Sequence, residues 1–364
     1  MQQQQRGFIL VLTLLILSLA IIVVNQFFIS GTTTVFFDRA MIDREKAKTL
    51  AYGAIQLAQS QLVIIKEKEE SSPEKKSASE KKDTAKQEKK FLERIVPNLN
   101  RWQTIELTEK KDGINAIIKL CISSEDGKLN INHLYDFEKK KFISFASSKD
   151  TKTLDKKTDV SEVGVLFESI QKLTESKDLL GSFEKFLKDR QYKLNDVTEL
   201  LKNSDFQQAF KNKIFYEPPV KNQASKQYKK NIYLMDLFTI FSATGKLEPW
   251  LLSDSVAAVL GLERAQADDT EKRKQLLADM LKEFKPSISL EKDWNTLFKP
   301  MYSKEFKSLK KEIHSMFQTT FSPQTFSVII HATVGAITQK LYVILHRTNQ
   351  EDFQQFNIQR LYWF

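Results

Sequence analysis

Hydrophobic positions run from Phe8 to about Ile29 with no charged side chain among them. At ~1.5 Å rise per residue, such a run of about 22 residues crosses a hydrocarbon core of ~30 Å, which predicts a membrane-spanning helix over 8–30. The run closes on Asn25-Gln26-Phe27-Phe28-Ile29-Ser30 with no small-x-small site, which argues against a secretory peptide cut after it. Beyond the span, Leu50, Ala54, Leu57, Ala58, Gln61, Leu62 and Ile65 recur at spacings of three and four. That spacing predicts an apolar stripe on a helix continuing over 31–65, whose outer half needs a surface to lie against.

Residues 66–90 contain no large apolar side chain, so they have nothing to bury against the entropy of ordering and read as a charged disordered linker. After them the period changes to two. Trp102-Gln103-Thr104-Ile105-Glu106-Leu107 and Ala116-Ile117-Ile118-Lys119-Leu120-Cys121-Ile122 flank Lys111-Asp112-Gly113-Ile114, the pattern of a β-hairpin. Asp126-Gly127 predicts another tight turn, and an extended chain after it would place Asn130 and Asn132 on one side. Together with Gly127 and Lys128 these residues form a candidate structural turn motif.

From 151 to 315 the spacing is mainly helical. Val165, Leu166, Ile170 and Leu173 make one stripe and Phe183, Phe186 and Leu187 another, while Asn195-Asp196 is placed to cap a helix containing Val197, Leu200 and Leu201. A second strand-turn element is expected near 232–250, where an apolar run leads into Gly245-Lys246-Leu247 and echoes Gly127-Lys128-Leu129, and a further helical stretch near 252–280. Strands return at 325–333, 340–347 and 358–364. Strands on both sides of a helical middle predict an α+β fold: a long N-terminal transmembrane helix, then an antiparallel sheet in two parts (91–150 and 316–364) with a large helical insert.

Composition narrows the chemistry. The net charge of +10 is carried by scattered Lys rather than clustered Arg, which describes a solvated surface better than a phosphate-reading one, so no nucleic acid is expected. The single Cys121 lies in an apolar strand, and His133, His314, His331 and His346 are too scattered for metal-ligand spacing. Glycine-rich phosphate loops, G-x-S-x-G and H-E-x-x-H are absent from the sequence, and no catalytic residue is expected.

The Arg6-Gly7-Phe8 junction ahead of a long apolar helix and a small β-domain resembles the class III signal sequences of type IV pilins and pseudopilins. Ile122 to Asn132, ISSEDGKLNIN, is similar to the acidic-Gly-Lys-apolar-Asn-apolar-Asn signature of the K-type minor pseudopilin of type II secretion systems. The Gly245-Lys246-Leu247 unit and the tail TFSVIIHATVG resemble further elements of that family, although Glu248 and Trp250 stand where it usually has paired Asn.

The resemblance implies a pilin-like sheet domain and a leader, 1–7, removed after Gly7 by prepilin peptidase, with Phe8 becoming an N-methylated first residue. It also implies that Leu12, where most pilins carry Glu, marks a tip position, since a first subunit has no earlier amine to neutralise. The function implied is that of a minor pseudopilin in protein export across the outer membrane, with other minor pseudopilins and inner-membrane lipid as partners; a minor pilin serving adhesion or DNA uptake is the alternative. The globular part would face the periplasm. A count of basic residues alone, Arg6 before the span against Arg39, Arg44, Lys46 and Lys48 after it, would turn the helix round. Some members of the family bind calcium, but no acidic cluster here is assignable to it and no cofactor or metal ligand is named.

Overall fold

The computed structural model describes residues 2–63, 88–145, 162–218, 231–262, 301–349 and 354–364, together with 275, 278, 279, 298 and 299; of residues 2–11 only the backbone is described. One helix, α1 (Gln2–Leu62), carries the apolar run and continues past it without a break. The expected linker over 66–90 falls outside the described residues except for 88–90, which begin a helical stretch reaching 95. From that stretch Arg94 donates to the Ser60 and Gln61 carbonyls at 2.6 and 3.1 Å, satisfying acceptors that the end of α1 leaves open.

Five antiparallel strands form the sheet in the order β1-β2-β7-β8-β9. Here β1 is Trp102–Leu107, β2 Ala116–Ser124, β7 Thr325–Val334, β8 Ile337–Asn349 and β9 Gln354–Trp363, with the two-residue strands β3 (Leu129–Asn130), β4 (Tyr135–Asp136), β5 (Lys141–Phe142) and β6 (Phe238–Thr239) between β2 and β7 in the chain. Everything between β2 and β7 is inserted into one connection, so the chain adopts the α+β class that its strand-helix-strand order predicts. Gly335, at φ 57°, takes the left-handed turn between β7 and β8. The β1–β2 connection differs from a tight hairpin: Glu109–Asp112 form a helical turn that ends on Gly113 at φ 70°.

The sheet is covered on both faces. Gln103, Leu120, Ile330, Leu341 and Trp363 are in register across it and share a face. On that face α1 lies: Gln61 exchanges hydrogen bonds with Gln103 at 2.8 and 3.0 Å, and Tyr52 meets Trp363 edge-on at 5.6 Å. The opposite row, Trp102, Cys121, Ile329, Tyr342 and Tyr362, faces the insert, where Tyr362 donates to Asp196 at 2.6 Å. Double cover explains why nearly every residue of β7 is buried, on both alternations.

The face that α1 buries is rotated from the expected stripe. Ala47, Ala51, Ala54, Ile55, Ala58 and Leu62 are the buried positions, while Leu57 is 37% exposed and Ile65 lies outside the described residues. Alanines at spacings of four, three and four bring the helix axis close to the sheet, and the larger Leu57 is left at the rim.

The insert contains α2 (Glu162–Thr174), α3 (Leu179–Lys188), α4 (Ser204–Ala209) and α5 (Asp254–Val259). The expected stripes form: Val165, Leu166 and Ile170 of α2 are buried, as are Phe183 and Leu187 of α3. Asp196 caps a 3-10 turn, Val197–Lys202, in a capping box with Glu199. The apolar run after 232 is a one-turn helix, Leu234–Leu237, followed by the two-residue strand β6 (Phe238–Thr239). Of the helical stretch expected near 252–280, residues 252–262, which contain α5, and 275, 278 and 279 are described. Lys128 is buried and Lys246 exposed, so the two Gly-Lys-Leu units place their lysines in different surroundings.

At Gly127 the turn after β2 passes directly against the backbone of the insert, since a Cβ there would overlap the Leu251 carbonyl. Gly127→Ala is therefore expected to cost about 3 kcal/mol in urea unfolding of the full chain in detergent, because backbone rather than a flexible side chain must yield. Gly53, with nothing within 4 Å of its missing Cβ, provides the contrast: Gly53→Ala is expected to stabilise by about 0.5–1 kcal/mol in the same assay.

Candidate functional site: the uncovered helix and the buried clasp

Two regions hold the residues that the sequence singles out. Gly7, Phe8 and Leu12 lie on α1, where Leu12 is exposed. From Leu12 to Ile42 the large apolar side chains of α1 are exposed, so within this chain they have no protein cover. Next to them, Met41, Ile42, Glu45, Lys46, Thr49, Leu50 and the Ile114 loop line a shallow groove at the base of the sheet.

The second region is the turn motif. Ser124, Glu125, Asp126, Gly127, Lys128 and Asn130 are buried, which a surface turn would not be. Lys128 extends under the insert, where its Nζ donates to Glu125 Oε1 at 2.5 Å, the Met235 carbonyl at 2.8 Å, Ser327 Oγ at 2.9 Å and Tyr342 OH at 3.4 Å. Glu125 also accepts from Tyr342 OH at 3.2 Å and from the Thr239 hydroxyl. One ion pair thus joins the turn, the sheet strands β7 and β8, and the insert, with its remaining hydrogen-bonding capacity met by neutral groups.

The extended chain stops at Asn130, and Asn132 lies in a helical turn instead. Asn130 ends β3 (Leu129–Asn130), which pairs in parallel with β6, and its Oδ1 caps the single turn Ile131–Leu134 by accepting from Asn132 N at 3.1 Å. Its Nδ2 donates to Ser242 O and Oγ, both at 2.9 Å. Asn132 pairs twice with the Leu194 backbone, at 2.8 and 2.9 Å. The two amides therefore tie the turn to two segments of the insert more than sixty residues away; a short polar side chain competing for local backbone groups favours the cap over extension.

Asp126 takes the other side. Its Oδ2 accepts from Gln324 N at 2.8 Å and Thr325 N at 3.1 Å, fixing the start of β7, while its carbonyl accepts from Glu248 N at 2.8 Å. Burial outweighs these bonds and pushes the Asp126 carboxyl above its ordinary range. Glu248, fully enclosed and bonded by Gln318 Nε2, is pushed up to about 8, chiefly by desolvation. Burial likewise raises Asp236, whose Oδ2 accepts from Ser255 N at 2.8 Å. Across the sheet, burial holds His331 down at about 4, against the edge of Trp102 at 5.1 Å.

The turn residues are visible in the sequence, and Glu248 only as a departure from the resembled pattern; Asp236, Ser327, Tyr342 and Glu125 carry no assignment there. A short signal existed for Glu125, adjacent to Asp126 and three residues before Lys128. The others reach the cluster from distant segments. Among the described residues no group of three or more His, Cys, Asp or Glu side chains is placed to hold a metal ion. The buried groups are locked to one another, an arrangement that fixes geometry.

No family model matches the chain, and no curated protein does either. Among solved structures, it is similar to a chain in "The Crystal Structure of the GspK-GspI-GspJ complex from enterotoxigenic Escherichia coli Type 2 Secretion System". That match covers 92% of this chain and 99% of the other at 12% identity, with a TM-score of 0.37, a likeness too loose to argue from.

Lys128→Met is expected to destabilise the chain by about 3–5 kcal/mol, because it strands Glu125 out of water, and adding Glu125→Gln should recover more than half of that in the same denaturant titration. Glu248 has the opposite dependence on charge. Its folded-state value lies above the 4.5 of the free carboxyl, so the native state holds the proton more tightly and loses stability as pH rises from about 4.5 to about 8. Glu248→Gln removes that loss; the gap in unfolding free energy between the variant and the original chain should widen in the variant's favour from pH 5 to pH 9.

Proposed function

We propose that this chain is a K-type minor pseudopilin, the tip subunit of a type II secretion pseudopilus, and that it acts by assembly rather than catalysis. The observation that carries the reading is the single helix from Gln2 to Leu62, uncovered over its apolar half and locked by an alanine face to the sheet over the rest. Such a helix holds a globular domain at a fixed distance from a membrane and offers its exposed length to neighbouring helices. The Arg6-Gly7-Phe8 junction supports processing by prepilin peptidase, with Phe8 as the methylated first residue and the globular part on the periplasmic side of the inner membrane.

Leu12 supports the tip position. A carboxylate at that depth is costly in lipid unless the amine of a neighbouring subunit meets it, and a subunit with none above it has no use for one. The insert supports the same position: it covers the sheet face opposite α1 and adds bulk where a further subunit would have to stack. The clasp serves this reading as the joint that keeps the insert seated.

Co-expression with prepilin peptidase and candidate minor pseudopilins, followed by sequencing of the mature amino terminus and affinity isolation, tests both parts. A terminus at Phe8 with co-purifying pseudopilins is the expected result. An intact Met1 sinks the processing claim. A processed chain that isolates without pseudopilins, and whose globular domain binds DNA in a salt-dependent way, would point to the type IV pilus alternative.

A further inference from the structure

Uncharged residues do not stop at Ile29. They continue through Ser30-Gly31-Thr32-Thr33-Thr34-Val35-Phe36-Phe37 to Asp38, making 30 residues from Phe8 to Phe37 on one unbroken helix. Such a run is ~45 Å long at 1.5 Å per residue, about 15 Å more than the hydrocarbon core it has to cross. Three observations decide what surrounds the surplus.

The first is exposure: Val35, Phe36 and Phe37 are 67, 73 and 65% exposed at consecutive positions. With ~100° between neighbours they point around more than half of the helix, which a partner packed on one side does not cover and a fluid apolar medium does. The second is the hydroxyl belt between Ile29 and Val35. Thr32 Oγ1 donates to the Phe28 and Ile29 carbonyls at 3.0 Å each, Thr33 to Ile29 at 2.7 Å and Thr34 to Ser30 at 3.0 Å. These hydroxyls are satisfied within the helix, the condition for lying in lipid without water.

The third is where the domain begins. Asp43 sits against the Gly335 turn, and Met41 and Ile42 line a shallow groove shared with Ile114, so the base of the sheet lies one to two turns beyond Phe37. Near that base Arg39, Arg44, Lys46, Lys48, Lys110 and Lys111 alternate with Asp38, Asp43, Glu45, Glu109 and Asp112, nearly cancelling in charge.

We propose that the unassembled subunit crosses the bilayer steeply tilted, with the whole of 8–37 in lipid and the base of its sheet resting on the headgroups. A tilt of about 40° projects ~45 Å onto ~34 Å, close to a thick bilayer, whereas an upright helix would leave Phe36 and Phe37 in water. Because α1 is packed into the sheet, tilting the helix lowers the domain with it. The inference rests on the membrane-spanning part of the proposed function but not on the secretion partners. Contact is made by immersion and not by charge, so anionic lipid is not required.

The test uses the full chain with Cys121→Ser, reconstituted in phosphatidylcholine bilayers, carrying Phe36→Cys, Phe37→Cys or, as an aqueous reference, Glu45→Cys. Labelling by a membrane-impermeant maleimide should be slower by about tenfold or more at both phenylalanine sites than at Glu45, with or without phosphatidylglycerol, given that lipid excludes the reagent. The helix tilt of the unsubstituted chain in oriented bilayers should be near 40° in bilayers of about 34 Å and fall as the acyl chains lengthen. Rates at either site less than about tenfold below the reference, or a tilt under about 20°, overturn the proposal. So does protection that appears at only one of the two sites or only when pseudopilin partners are added, since that is protein cover. A chain released from vesicles by alkaline carbonate would refute the spanning helix itself, a distinguishable failure.

Discussion

The ammonium group of Lys128 has been taken out of water, and the rest of the domain is arranged to make that tolerable. An ion of this size loses several kcal/mol of hydration on burial, and recovers it only if oxygens surround it in good geometry. Four do, and they come from four places: the Glu125 carboxylate in the same turn, the Met235 carbonyl in the insert, Ser327 on β7 and Tyr342 on β8. A misplaced insert would leave the charge short of a partner. The cost of a wrong arrangement, more than the strength of the right one, is what the ion pair contributes, and the two asparagines add the same demand for Ser242 and Leu194.

Glycine makes that geometry reachable. The insert's backbone at Leu251 passes so near Gly127 that no side chain fits between, and Ser253 N then reaches the Gly127 carbonyl at 3.2 Å. Sequence order therefore has a steric logic: the acid, the glycine and the lysine supply in four residues an ion pair, a close approach and a buried charge. Burying Asp126, Asp236 and Glu248 nearby adds carboxyl groups with no cation of their own, which is why desolvation raises all three.

What could be read in the sequence follows from how local each signal is. The strands and the helical stripes of the insert depend on periods of two and 3.6 and were legible, as was the long helix. The rotation of that helix was not, because Ala47 and Ala51 carry little weight in a hydrophobic pattern yet decide how closely two backbones approach. The spacing of Asn130 and Asn132 is legible, and Asn130 is extended as that spacing predicts, but Asn132 is in a capped single turn, which differs from an extended strand by one side-chain hydrogen bond. The roles of Tyr342, Ser327 and Glu248 are out of reach of the sequence, because each comes from a contact seventy to more than two hundred residues away.

Helix and sheet also share a mechanical consequence. The last four turns of α1 lie in the core, closed at the end by Arg94, so a displacement of the membrane half passes along the helix's own hydrogen bonds into the sheet and, through the clasp, into the insert. A shaft of this kind yields where its backbone is least supported. Ser30 to Thr34 is weakly supported: Gly31 adds conformational freedom, and the threonine hydroxyls share carbonyls already used by the helix, which weakens those bonds. Under the proposed immersion in lipid, the segment has no water to replace those bonds and stays helical. Raised out of lipid, it gains that competitor, so the stiffness of the connection between membrane and domain depends on how deep the helix sits.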